Sequence, residues 1–408
     1  MFKFIFLFIV VFEVLWEEIL LFLNLKYSTS KDASVPEVLK DKISDEDFER
    51  SKRYLRDKTL LESFSQLIKL GVTLILLLYG FPFLENVVLS FSNSIIIQGL
   101  LFFALYGLIT FLVNLPFNIY STFVIEEKYG FNKMNAKTFV VDIIKSFVVS
   151  IILFVPLISL LLWILSVDQN WWWKVSIGYI LFQVILTLIY PIFIAPIFNK
   201  FTPLEDEKLK EEINKLLKKA GFNILSIYVM DASKRTKKQN AALTGIGKSK
   251  RIVLYDTILD YSTEEILAII AHELGHSKRK HIPKLLTIIS VLYTVIFYLV
   301  NVVYNYILSS NLFGINMSYT AFTYSFIFIS SVVYFAIPII NFLQRKFEFE
   351  ADRYSAELLE TPEYLISSLK SLVKENLSNV NPLPLYKVWH YNHPSPEERI
   401  KNLLKLKK

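Results

Sequence analysis

Cysteine is absent from all 408 residues. Disulfides and thiolate chemistry are therefore excluded, and any metal must be held by histidine, carboxylate or water. That absence does not by itself choose a compartment. Histidine is nearly as scarce: five copies occur, and three of them crowd into AHELGHSKRKH, from Ala271 to His281. The other two are His390 and His393. An excess of basic charge, net +7, is present but does not form a nucleic-acid-binding patch. It follows the spacing of the apolar runs, so no nucleic-acid partner is expected.

What the chain has in abundance is apolar sequence: 53% of residues are hydrophobic, with 34 Phe and 22 Tyr. A bilayer core about 30 Å thick needs roughly 20 apolar residues per helix. Seven runs approach or meet that length: Phe2 to Leu23, Leu67 to Phe83, Ile95 to Leu115, Phe147 to Leu165, Val175 to Phe198, Leu285 to Ile307 and Tyr319 to Leu343. Buried helices of a soluble protein do not require such lengths. The first run is read as retained, since it holds Glu13, Glu17 and Glu18 and no small-residue cleavage site follows. Glu13 and Glu17 share one helical face. They either line a wet interior or, for Glu17 and Glu18 beside Trp16, sit at the lipid interface.

Basic residues alternate along the connections. Nine Lys or Arg lie between Lys26 and Lys58, and none between Glu85 and Ser94. Lys128, Lys133, Lys137 and Lys145 follow, then Lys174 alone, then a basic stretch from Asn199 to Lys284. The Leu308 to Ser318 loop is again empty of them, and the tail is basic. The positive-inside rule places the N-terminus outside and both the 199–284 segment and the tail in the cytoplasm.

His272 and His276 are spaced i, i+4, one above the other on a helix face, and Glu273 stands between them. This is the H-E-x-x-H arrangement, in which two imidazoles grip zinc and the glutamate serves as general base. Zinc lowers the pKa of water towards about 7. Ser262 and Glu265 form a capping-box pattern, and Ile266, Ile269 and Ile270 recur at helical spacing, so the motif lies on a helix. RIVLYD just before it reads as a strand.

A catalytic zinc site wants three protein ligands. Candidates for the third are His281, His390, His393 or a carboxylate. Runs six and seven are joined by a short loop and pair antiparallel, so the residues just after run seven return to the depth of the histidine helix. RKFEFEADRYSAE arrives there, with Glu348, Glu350 and Asp352. Glu348 and Asp352 share a face: one could ligate zinc and the other hold a ligand histidine by its second nitrogen.

HELGH followed by EFEAD resembles the M48 metallopeptidases, and among them the Ste24-type, integral-membrane CAAX prenyl protease 1 group. STFVIEEKYGFN, FNKFTPL, SKRTKKQNA with KRIVLYDT, and WHYNHPSPEER carry the likeness from Trp16–Glu17 to Arg399. The resemblance implies that His272, His276 and Glu348 bind one Zn2+ and that Glu273 is the general base. It further implies that Asp352 steadies a ligand histidine and that His393 supports the oxyanion, with Arg399 ordering that region. Asn240, Ala241 and Ala242 would form the substrate-binding edge. His281 and His390 are left to packing or to support of the ligands.

The expected fold is predominantly α: a seven-transmembrane-helix barrel or bundle with a small α+β zinc metallopeptidase domain at the cytoplasmic side. Residues 1–198 supply five spans, 199–284 the segment with the metal helix, 285–343 a hairpin of spans six and seven, and 344–408 the completion of the zinc site. The expected activity is peptide-bond hydrolysis by a membrane zinc endopeptidase that removes the last three residues of prenylated CAAX substrates, with membrane lipid as surroundings. A quality-control protease acting on unlipidated protein would share the same apparatus. A scaffold or transporter with structural zinc would not need Glu273. The short connection before the metal helix and the compact tail point to a bacterial or archaeal inner membrane rather than the endoplasmic reticulum.

Overall fold

The computed structural model describes residues 1–223, 226–245 and 250–407. The chain begins with helix α1 (Phe2–Ser28). Four long helices follow: α2 (Asp45–Phe91), α3 (Ile95–Glu126), α4 (Ala136–Val167) and α5 (Trp171–Phe198). Each of these four is long and apolar enough to cross a bilayer, as is α8 (His281–Ser309). A sixth candidate is a bent pair, α9 (Ser318–Tyr334) and α10 (Ile337–Leu359), whose axes differ by 55°. Tyr319 to Leu343 is thus broken rather than continuous. The physical reason is Pro338, whose ring lacks an N–H and crowds the carbonyl four residues back, at Tyr334. Helix α1 has the length of a span, but its three carboxylates leave it short of the same apolar standard. Among the described residues, five helices, or six with the bent pair, are long and apolar enough to cross a membrane, against the seven expected.

The run from Leu67 to Phe83 is also only part of its helix. A capping box at Ser44 and Asp47 starts α2, which then runs 47 residues, about 70 Å at 1.5 Å per residue. It extends far beyond a bilayer core and carries much of the basic segment as ordered helix. Neighbouring helices meet through aromatic side chains: Phe6, Phe81, Phe102, Trp171, Tyr319 and Tyr324 are all fully buried.

Between α5 and α8 the chain builds a four-stranded sheet: β1 (Phe201–Pro203), β2 (Ser226–Met230), β3 (Ala241–Thr244) and β4 (Arg251–Tyr255). The spatial order is β1-β2-β4-β3, with β2 and β4 parallel and the outer pairs antiparallel. Helix α6 (Glu207–Lys219) and helix α7 (Thr263–Lys278) cover this sheet. Leu209, Ile213, Leu216 and Leu217 of α6 and Ile266, Ile269, Ile270 and Leu274 of α7 close over Ile227, Ile252 and Leu254. Each such side chain, once buried, contributes about 1.5–3 kcal/mol. Three short helices end the chain: α11 (Glu363–Glu375), α12 (Pro384–His390) and α13 (Pro396–Leu404).

Candidate active site

Helix α7 starts at the expected capping box, in which Ser262 and Glu265 satisfy each other's orphan groups. Its apolar face is spent on the sheet, so the face with Ala268, His272, Gly275 and His276 is left for α10. The two helices approach closely at Gly275: a Cβ there would lie 2.9 Å from the Ala351 Cα. The Ser355 hydroxyl donates to the Ala268 carbonyl at 2.9 Å, fixing the register of the pair. The histidines and Glu348, more than seventy positions apart in sequence, thus face each other.

His272 Nε2 lies 3.4 Å from Glu348 Oε2, and His276 Nε2 lies 3.2 Å from Glu348 Oε1. One ligand atom from each of the three residues falls within 4.8 Å of the others. Glu348 is buried, yet its Oε2 has no hydrogen-bond partner. That oxygen has only the ion-pair distances to His272 Nε2 and, at 3.6 Å, to Arg399 Nη1, so two imidazole nitrogens and a buried carboxylate converge with lone pairs that a divalent cation would satisfy. The residues present therefore fit a metal of the kind that takes nitrogen and oxygen ligands.

Each histidine is held from behind. His272 Nδ1 donates to Asp352 Oδ1 at 2.9 Å. Arg399 grips the same carboxylate through Nε at 2.9 Å and Nη2 at 2.6 Å. Burial pulls the His272 pKa down, but Asp352 and Glu348 more than offset it and carry it up to about 9. In the absence of a metal, the imidazole thus holds a proton at neutral pH. A capping box at Ser395 and Glu398 starts α13 and so presents Arg399. On the other side, His276 Nδ1 sits 3.0 Å from His281 Nδ1, and His281 Nε2 sits 3.1 Å from Glu350 Oε2. The His281 ring stacks on Phe347 with centroids 4.4 Å apart. Sequence reasoning left His281 to packing or support; it did not find Glu350 as its partner. The i, i+5 spacing from His276 and the alternating glutamates were the only available signals.

Glu273, His272, Glu348 and His393 line one cavity of about 640 Å3, together with Asn240 and Ala241. Ala242 joins Ala241 and Glu273 along an adjoining crevice. Strand β3 lies at the end of the sheet, bonded to β4 along one edge only, so its other edge borders the cavity. His393 enters from the tail, more than half exposed, with Nε2 3.2 Å from Glu348 Oε1. Its Nδ1 lies 2.8 Å from Asn392 Oδ1, an acceptor, so this contact places a proton on Nδ1. Seven of the ten residues singled out from sequence, Asn240, Ala241, His272, Glu273, Glu348, His393 and Arg399, line this cavity; Ala242 lies on the adjoining crevice, and His276 and Asp352 stand behind it against Glu348 and His272. The opposite wall, Leu365, Leu369, Leu372 and Val373 of α11, was not anticipated. Its helical periodicity is visible in sequence but reads there simply as core.

Comparison with known proteins adds to this geometry. Residues 24–200 match the family described as CAAX prenyl protease N-terminal, five membrane helices, and residues 203–407 match peptidase family M48. CAAX prenyl protease 1 of Saccharomyces cerevisiae is 34% identical over 92% of this chain and 89% of its own length. A CAAX prenyl protease 1 homolog of Homo sapiens is 33% identical over 91% of this chain and 89% of its own. The crystal structure of S. mikatae Ste24p superposes with a TM-score of 0.90 at 32% identity, covering 98% of both chains. These relatives are eukaryotic and lend no support to the bacterial or archaeal membrane expected from the short connection and compact tail. Family models over both halves and relatives spanning nearly the whole length agree with the metal cradle and the apolar spans: the chain belongs to peptidase family M48 and is a multi-pass membrane metalloprotease of the CAAX prenyl protease type.

Proposed function

We propose that this protein is a zinc endopeptidase that removes the C-terminal tripeptide of prenylated CAAX substrates. The observation that carries the reading is the convergence of His272, His276 and Glu348 in one cavity with Glu273 and the free edge of β3. Those three residues would hold Zn2+, which when bound supplies the Lewis acidity that brings water towards deprotonation near neutral pH. Every other step belongs to side chains. The substrate backbone extends along Asn240, Ala241 and Ala242 and adds a strand to the sheet. Glu273 takes the proton of the attacking water as its oxygen bonds to the scissile carbonyl carbon. His393, its Nδ1–H held by Asn392 Oδ1, donates from Nε2 as the imidazolium to the carbonyl oxygen as negative charge gathers there. Glu273 then delivers the proton to the amide nitrogen, the C–N bond breaks, and a free amine and a carboxylate leave. Asp352 and Arg399 keep His272 turned with Nε2 inward.

The names of the relatives support a prenylated substrate. The spanning stretches of the five long apolar helices are only 6–28% buried, as surfaces that face lipid would be. With α1 and the bent pair they would complete seven crossings. The alternation of basic loops supports a cytoplasmic metal centre and an outer N-terminus. Residues 1–198 and 285–343 then form the membrane part, and 199–284 with 344–408 the peptidase part.

The experiment is cleavage-site mapping on farnesylated peptide, the same peptide unmodified, and casein, with metal content measured on each sample. Selective removal of three residues from the farnesylated peptide is expected; indifference to the lipid would favour general proteolysis instead. Glu273→Gln should keep the metal and lower cleavage by about 10²–10⁴-fold. Turnover equal to wild type would remove Glu273 as the base.

A further inference from the structure

The peptidase chemistry leaves one oddity of the sequence unused: a carboxylate at Glu17 within the apolar first helix. It is only 8% exposed. Its Oε2 accepts the hydroxyl of Tyr334, at the end of α9, and lies 3.2 Å from Nε2 of His390, the last residue of α12. One carboxylate thus joins the first helix, the bend before α10 and the tail. A charge at this depth is costly unless it is paired, and here Tyr334, His390 and Gln66 all face it.

The same face of α1 follows the tail residue by residue. Trp16 meets Trp389 with ring centroids 5.4 Å apart. Asn24 Oδ1 accepts from the Leu383 N–H at 3.0 Å. Ser28 donates to the Asn381 carbonyl at 2.9 Å and accepts from the Asn379 amide at 2.9 Å. Helix α10 holds the segment from its other side by backbone carbonyls: Asn341 donates to that of Trp389 at 2.5 Å, and Arg345 to that of Tyr391 at 2.6 Å. Beside its stacking on Tyr386, the His390 side chain is within ion-pair reach of Glu17 alone among the described residues, with the Glu62 carboxylate acting on it from farther off. His390 is three residues from His393, and both line the cavity.

We infer that Glu17 is a positioning residue: by holding His390 it fixes the Tyr391–Asn392–His393 turn, so that the first helix sets where the His393 imidazole stands over the metal cradle. The inference rests on the reading of His393 as donor to the scissile carbonyl oxygen. A donor displaced by about 1 Å at a reacting centre can cost on the order of 10²-fold in rate. Ground-state binding along β3 and metal binding by α7 and α10 need not change.

The full-length protein in detergent tests this, with steady-state cleavage of a peptide that wild type processes and metal analysis on the same samples. Glu17→Gln and His390→Phe should each lower kcat by about 10- to 100-fold with KM little altered and metal content at the wild-type level. The double variant should be no worse than either alone, and the exchange Glu17→His with His390→Glu should recover part of the rate. Wild-type kcat in both single variants, additive losses in the double variant, or metal loss in Glu17→Gln would overturn the inference. His393→Ala run in parallel separates the two readings. If His393→Ala keeps full rate, the donor role fails; if it is slow while Glu17→Gln is not, only the positioning role fails.

Discussion

The two imidazoles proposed to hold the metal are supported by chemically different partners. His272 rests on the Asp352 carboxylate, itself neutralised by Arg399. His276 rests on another imidazole, His281, which in turn reaches Glu350. If His276 Nε2 faces the cation, Nδ1 must carry the proton and His281 Nδ1 must accept it, leaving His281 Nε2–H for Glu350. One ring orientation satisfies every nitrogen in this chain. His281→Phe preserves the stacking on Phe347 but removes the acceptor, so metal affinity should fall by about 10–100-fold. His281→Gln, whose carbonyl can accept, should fall less. Competition against a chromophoric chelator measures both, and equal affinity in all three proteins would leave His281 as packing alone. Residue identities of this kind were legible in part: the i, i+4 histidines and Glu273 announce themselves, whereas the pairing of His281 with Glu350 crosses 69 positions and has no local signature.

At the scale of elements, the site depends on how closely α7 and α10 pack. Gly275 allows that approach, with the Ala351 Cα and carbonyl 2.9 and 3.1 Å from where its Cβ would be. Backbone atoms there cannot rotate aside. Gly275→Ala should therefore cost about 1–3 kcal/mol from overpacking. It should also lower metal content, because the helices separate between His272 and His276. A thermal melt with metal analysis checks both, and an unchanged melting temperature with full metal would show that the pair has room to spare. The hairpin argument from sequence, that residues flanking runs six and seven return to one depth, rests on loop length alone and needs no structure. The bend of 55° between α9 and α10 was not read, although Pro338 was in plain view. A proline in a long apolar run is compatible with either a continuous or a broken helix until neighbouring packing decides.

For the whole molecule, the proposed orientation can be tested cleanly because the chain has no cysteine. Single cysteines at Ser310, in the basic-poor loop before α9, and at Lys208, on the exposed side of α6, should be reached by a membrane-impermeant maleimide from opposite faces of intact cells. Labelling of Lys208→Cys from outside would invert the topology and place the metal centre in the wrong compartment for cytoplasmic substrates. The count of crossings follows the same logic. Five apolar helices declare themselves by composition, but α1, with Glu13, Glu17 and Glu18, declares itself only through what those carboxylates touch.

Sequence by itself determined the solvent, the side-to-side charge bias, the metal motif and its helix, because hydropathy, basic-residue spacing and i, i+4 geometry are local properties of a chain. Tertiary structure decided which carboxylate meets the histidines, which strand edge faces them, and what Glu17 pairs with. Those outcomes depend on contacts between residues far apart in the chain, where burial and hydrogen-bond satisfaction are settled by the packing of the whole and by no single segment.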